Sequence, residues 1–446
     1  MANHEDFERL RSGKEAWNEW VSGDESRKVD LSGIKLGDCN FEGYVFPAYT
    51  DFTRCRFANA AVFANSKFIG DASFVEAQFH ATANFRSAQT KGVDFDRAHF
   101  SGDLNLRDAT LEGTASFSNC KFNNNVTASA LRAKGPAFFH DAEFDSDLVL
   151  DEAIFGDRTF FDSAQFSKFA SFHSVRFGTA ATFADSIFKS AAWFEQAEFA
   201  GKASFERVDF LGTATFVDAR FHTTASFRHA NSKGPFSLER ATFKKVPDLM
   251  GMSFRAPPRL DDLSVADSGR FRWRGNLDEA ARYRYLKKLA VEGHDHTREQ
   301  FFFANELRQR RCSEDKPLGR GAAAFWFGYA YEALSDFGRS PLRPIIWWVC
   351  SIVFFAITYG SFRPQGHACE WPTGRLLPEF YLALVHAIPL AGLKRTPIHE
   401  LAVSCLFAWD GAVWPGAEIL FILQNVIAVI LIFLFVLALR NHFKIR

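Results

Sequence analysis

The stretch ASFERVDFLGTATFVDARF, residues 203–221, decides the fold. Its phenylalanines, Phe205, Phe210, Phe216 and Phe221, stand five, six and five residues apart. A strand repeats every two residues and an amphipathic helix every 3.6, so neither element explains the spacing. The same beat runs upstream through Phe172, Phe177, Phe183, Phe188, Phe194 and Phe199, and downstream through Phe227, Leu238 and Phe243. It also holds from Phe41 to Phe85, shifts register near Thr90, and becomes irregular in NNNVTASALRAKGPA, residues 123–137. The unit is therefore eleven residues, five plus six, and a fixed period of this kind is the mark of a solenoid.

A second regularity accompanies the first. A small residue sits two positions before many of the phenylalanines: Ala192 before Phe194, Ala203 before Phe205, Ala214 before Phe216. Both members of such a pair should point into a narrow coil. The six-residue links read FIGDASF, FAGKASF and FLGTATF, with glycine where an extra residue must turn a corner, a place its backbone freedom suits. The five-residue links FVEAQF, FERVDF and FVDARF carry polar residues that should face water. The 52 phenylalanines of this 446-residue chain are thus read as core packing rather than as a ligand box.

With Leu31, Leu36 and Phe41 as centres, VDLSGIKLGDCNF (residues 29–41) resembles the pentapeptide-repeat proteins. The resemblance implies a right-handed, four-sided β-helix with about one pentapeptide per side. Sides of five and six alternate here, so a coil should take about 22 residues, and residues 22 apart should match. Phe172, Phe194, Phe216 and Leu238 do, as do Phe177, Phe199, Phe221 and Phe243. Nine or so coils at the ~4.8 Å strand spacing make a rod of ~45 Å. The left-handed hexapeptide helix is the competing solenoid, and a mixed five/six period with Phe centres argues against it. Some members of the family mimic DNA and bind topoisomerase, which needs a strongly acidic rod. Between Leu31 and Phe243 there are 25 Asp and Glu against 21 Lys and Arg, a difference of only −4. With zero formal net charge on the whole chain, no nucleic-acid partner is expected.

A solenoid needs its ends covered. Residues 1–28 place Phe7, Leu10, Trp17, Trp20 and Val21 near helical spacing, which predicts one amphipathic capping helix before a repeat region spanning 29–256. A linker follows over 257–342. Within it, two antiparallel helices are predicted at about 277–291 and 296–312, and an interfacial helix in 321–343. The segment YRYLKKLAVEGHDHTREQFFFANELRQRR also looks like the one that follows the repeats in membrane-anchored pentapeptide proteins. His294, His296 and Glu299 fall between the helices. Their spacing matches no recognised ligand set, and the alternative is a polar loop with Asp295 as helix N-cap.

Mean hydropathy is −0.12, but the average conceals a split. Residues 344–362 and 419–439 are uncharged, apolar, and long enough to cross a hydrocarbon core of ~30 Å. They define a two-span domain over 343–446. No apolar leader opens the chain. With Arg339 and Arg343 before the first span and Arg440, Lys444 and Arg446 after the second, both termini are expected in the cytoplasm, and the protein in the inner membrane with the β-helix on the cytoplasmic side. Trp347 and Trp348 suit the inner boundary, Trp409 and Trp414 the outer one. Arg363, Arg375, Lys394 and Arg395 in the outward loop weaken that assignment.

The loop contains LPEFYLALVHAIPLAGL, 377–393, too short for a span and so read as a re-entrant or interfacial helix that breaks at Pro389. Span, half-helix, span is the layout of a minimal channel pore, but HAIPLAGLKR, with His386, has no potassium-filter signature. Gln424 and Asn425 lie inside the second span. A helix–helix hydrogen bond, within the hairpin or across a homo-oligomer, and a pore lining both remain open for them. Cys369 and Cys405 both fall in the loop, and a disulfide between them would suit an outward compartment.

No Ser-His-Asp elbow, P-loop, GxGxxG or HExxH motif occurs, so no enzyme, cofactor or metal site is expected. The reading that results is a membrane-anchored scaffold whose β-helix faces receive a protein partner. An ion channel or gated pore subunit with the β-helix as sensor is the alternative, and a DNA-mimic topoisomerase-binding protein the third.

Overall fold

The computed structural model describes residues 4–266, 276–314, 318–319, 321–363, 371–372, 376–388, 396–409 and 412–443. The chain divides into two units. Residues 1–270 with 281–294 form the first, and residues 271–280 with 295–446 the second.

The first unit is a four-sided parallel β-solenoid. Short rungs, mostly two residues long, pair in register with the rung one coil away: Ala192 with Ala214, Phe188 with Phe210, Phe199 with Phe221, Ala203 with Ala225. One side stacks eleven rungs from Lys35–Leu36 to Ser253–Phe254, and another stacks ten. The remaining two sides merge into one continuous sheet, because the strands Lys67–Ser73 and Gln89–Asp94 run through the corner between them. The ladder continues to Ser264–Val265, past the prolines that had marked its end at 256, so the coils exceed the nine expected. The register shift near Thr90 is a short coil: Ala72 pairs with Val93, 21 residues on, and the pairing slips between Thr90 and Gly92. The irregular patch is fully threaded into the ladder. Ala128 and Ala133 take ring positions there, with Val126 and Leu131 buried beside them.

A complete coil places one ring on each side. Phe194 stacks on Phe172 at 4.6 Å and on Phe216 at 4.7 Å, within 3° of parallel, and meets Phe205 edge-on across the lumen at 5.3 Å. Both arrangements suit the ring quadrupole. The alanines two residues earlier, Ala192 and Ala214, are fully buried and leave room for the rings.

The two kinds of link turn their corners differently, and not as glycine's freedom alone would suggest. Apart from the first two, which turn on Gly33 and Gly43, the five-residue links carry a left-handed residue that is usually not glycine, such as Arg54 (φ 59°), Glu76 (φ 58°) or Asp218 (φ 58°). The turn closes when the next N–H reaches the ring residue's carbonyl, as Ala219 does to Phe216 at 3.1 Å. The six-residue glycines have ordinary φ. Their need is spatial: a Cβ on Gly201 would fall on the backbone carbonyl of Thr179 one coil below.

Two helices, rather than one, close the N-terminal end: α1 (His4–Arg11) and α2 (Lys14–Ser22), broken at Gly13 with φ 99°. Trp17 is fully buried against Phe46, and its indole N–H donates to Val45 O at 2.8 Å. The Asn18 amide pairs with the open edge as a strand would, donating to Gly43 O and accepting from Val45 N. At the far end, α3 (Leu277–Glu292) supplies Tyr285, whose hydroxyl donates to Met252 O at 2.5 Å, and Arg282, 3.5 Å from Asp248.

The second unit is helical: α4 (His296–Glu314), α5 (Ala322–Ser335), α6 (Leu342–Ser361), α7 (Pro378–Ala387), α8 (Pro397–Phe407) and α9 (Gly416–Phe443). Helices α6 and α9 are long and apolar enough to cross a membrane. Less than a third of each apolar window is buried, so most of their large side chains point outward, unlike a soluble core helix. Helix α5 ends at Ser335, in a turn where Asp336 and Phe337 are left-handed. Helix α8, capped by Thr396, had not been separated from the loop in the sequence.

Candidate functional site

Three places bring chemistry-bearing residues together. The first is the polar centre of the helical unit. Gln424 on α9 is fully buried. It accepts the Tyr359 hydroxyl of α6 at 2.5 Å and donates to Ala383 O of α7 at 2.6 Å. Asn425 donates to Phe421 O at 2.7 Å and lies 3.2 Å from His386 Nδ1. His386 stacks flat on Phe421 at 4.2 Å, and its Nε2 is 3.1 Å from His399 Nε2 on α8. One of the two imidazole nitrogens at that contact must carry a proton for the other to accept. The structure thus gathers Gln424, Asn425 and His386 into one cluster and adds His399 and Tyr359, which the sequence reading had passed over. Pro389 and Cys369 lie outside the described residues. Cys405 is buried and disulfide-bonded. Of the loop histidines, His296 pairs with Glu299 at 3.1 Å, while Asp295 caps α4 by accepting from Arg298 N.

The second is a buried ionic cluster that no motif announced. Arg308 donates to Glu332 at 2.8 Å and to Asp336 at 2.7 Å, and Arg311 lies 2.6 Å from Glu332. Arg343 donates to Glu332 O at 3.0 Å. Charges this deep are tolerated only when paired and hydrogen-bonded.

The third is the outer surface of the solenoid. Its charges pair across coils at a spacing of 22: Arg207 with Asp185 (2.6 Å), Arg240 with Asp218 (2.9 Å), Lys134 with Glu112 (2.7 Å). These guanidiniums hold the Asp185 and Asp218 carboxyls below their usual range. Inside the coils, burial pushes the Cys39 and Cys55 thiols up to about 12, removing them from nucleophilic chemistry near neutral pH. One outward column reads Ser73, Asp94, Ser116, then Phe138, Phe160, then Thr182, Ser204, Ser226. Phe138 and Phe160 are half-buried and stack in parallel at 5.2 Å, with His140 packed against both. The signal was in the sequence: FF doublets at 138–139 and 160–161, where the repeat needs a single ring.

The period, the four-sided ladder and the ring stacks agree with what profile comparison finds. The family described as pentapeptide repeats (9 copies) matches residues 41–89, 95–143, 183–231 and 194–242. The β-helix is a pentapeptide-repeat domain. No curated protein and no solved structure matches it. In the pentapeptide-repeat region the core is spent on packing, so whatever the protein recognises must lie on outward columns such as that of Phe138 and Phe160, or in the helical unit.

Proposed function

We propose that this pentapeptide-repeat protein is a membrane-anchored scaffold whose β-helix, in the cytoplasm, receives a protein partner. The stacked pair Phe138 and Phe160 carries the reading. It exposes aromatic surface on a column that is otherwise Ser, Thr and Asp, and aromatic residues are enriched where proteins dock. The outward apolar side chains of α6 and α9 support insertion of both helices in a bilayer. Arg339 ahead of α6, Arg343 in its first turn, and Arg440 near the end of α9 support cytoplasmic ends in a cytoplasmic (inner) membrane. The cross-coil pairing of acids with bases does not favour DNA mimicry.

The test is photocrosslinking of the full-length protein in cells, with the reactive residue at position 160 and, as control, at Ser204. Position 160 should capture a discrete protein that position 204 does not, and Phe138→Ser should abolish capture. Equal products from both positions would refute the docking column.

A channel subunit is the second reading, favoured by the chain Asn425–His386–His399 within the helices. Against it, Gln424 is consumed inside one bundle rather than turned toward a lumen. A monomer in mild detergent would eliminate the channel, since one two-span unit cannot enclose a pore. A stable oligomer that passes ions in liposomes would replace the scaffold reading.

A further inference from the structure

Arg311 on α4 is 4 % exposed. One edge of its guanidinium meets Glu332, and its face lies 3.9 Å over the Tyr329 ring. Among the described residues its Nε and Nη1 find no hydrogen-bond partner. A buried charged donor left without an acceptor is costly, so such a group calls for one.

A cavity of about 590 Å³ adjoins it, lined by Arg310, Leu307, Phe327, Tyr331 and Phe337 besides Arg311 itself. Gly328 lies under the arginine stem, where a Cβ would come within 3.2 Å of Arg311 Cδ. The surrounding charge is positive on balance. Among the described residues, Arg308, Arg311, Arg339 and Arg343 share the carboxylates of Glu332 and Asp336. Glu306 on α4 is also buried, and Arg310 matches it in count among the described side chains. An anion is therefore the ligand this site is built to take. The wall that is not basic is aromatic and aliphatic, and it continues outward onto α5, where Phe327 is 75 % exposed beside Trp326. Helix α5 leads directly into α6, the first apolar helix.

We propose that this cavity seats the phosphate of an anionic membrane lipid. Arg311 and Arg310 hold the phosphate oxygens, and Phe327 and Phe337 lie against the glycerol and first acyl carbons. Guanidinium forks match phosphate geometry, and an aromatic lip belongs at the headgroup level of a bilayer. The inference rests on the membrane reading above.

The experiment uses the full-length protein in mild detergent and measures retained lipid by native mass spectrometry. Equimolar phosphatidylglycerol and phosphatidylcholine are offered together, and inorganic phosphate is offered in a separate arm. Phosphatidylglycerol should be retained about tenfold over phosphatidylcholine, the scale of one charged hydrogen bond. Arg310→Gln and Arg311→Lys should each lower that preference by about as much. Phe327→Ala, on the exposed lip, should lower lipid retention without touching the fold, and Arg54→Gln on the β-helix should change nothing. Equal retention of the two lipids, or unaltered retention in both Arg310→Gln and Phe327→Ala, overturns the proposal. Displacement of the lipid by equimolar inorganic phosphate would assign the site to a free anion and overturn the lipid source. Alkaline extraction of membranes separates the two levels. A protein that stays in the membrane but shows no lipid preference loses only this pocket, whereas one that washes off loses the anchor as well.

Discussion

Tyr359 and Gln424, 65 residues apart on α6 and α9, share a 2.5 Å hydrogen bond at a place with no exposure to solvent. The amide's other end is held by Ala383 O, so a single side chain ties three helices together. In hydrocarbon an amide must find such partners, and here it finds them within one chain.

Removing one partner should therefore cost more than removing both. Tyr359→Phe should destabilise the helical unit by about 1 kcal/mol, the range seen for buried polar contacts in membranes. Tyr359→Phe combined with Gln424→Leu should recover part of that loss. Thermal unfolding in mild detergent measures both, and a double variant weaker than the sum of the two single changes would contradict this account.

In the β-helix, Phe194→Ala removes a ring stacked on two others. The expected loss is ~3–5 kcal/mol, as for other buried aromatic truncations. Arg207→Gln, which breaks an exposed pair with Asp185, should leave stability almost unchanged, because solvent screens such pairs. Denaturant midpoints of the two variants should differ accordingly.

Glycines in this chain should not be equivalent. Gly201→Ala drives a Cβ into the Thr179 carbonyl and should destabilise by ~1–3 kcal/mol, the usual penalty of overpacking. Gly37→Ala meets nothing within 4 Å and has no left-handed φ, so circular dichroism melts should show it as neutral.

Asp185 and Asp218 titrate below the ordinary aspartate value of about 3.9, held there first by hydrogen bonds from Arg207 and Arg240. A depressed folded-state value means the stabilisation is present above the unfolded value and is lost as pH falls through the folded one. The cross-coil pairs should thus be intact at neutral pH and released only below about pH 4. Carboxyl chemical shifts followed against pH would show midpoints at or above 3.9 if the pairs did not form.

The solenoid was legible because its determinants repeat. Each coil offers the next the same environment, so Phe194, Phe216 and their neighbours reveal their contacts by recurring every 22 residues. Even the short coil at Thr90 and the aromatic column at Phe138 and Phe160 leave traces in that beat. The two long apolar helices could likewise be read from composition, since apolarity over some 20 residues is a property of a whole segment. Tertiary structure alone decided the rest. Gln424 meets Tyr359 and Ala383, His386 meets His399, and Arg311 shares Glu332 with Arg308 across stretches of sequence that carry no period. Those contacts follow from how non-repeating helices pack, where one buried polar atom must find its particular partner. It was the packing, too, that moved the role of the six-residue glycines from backbone freedom to the close approach of neighbouring coils.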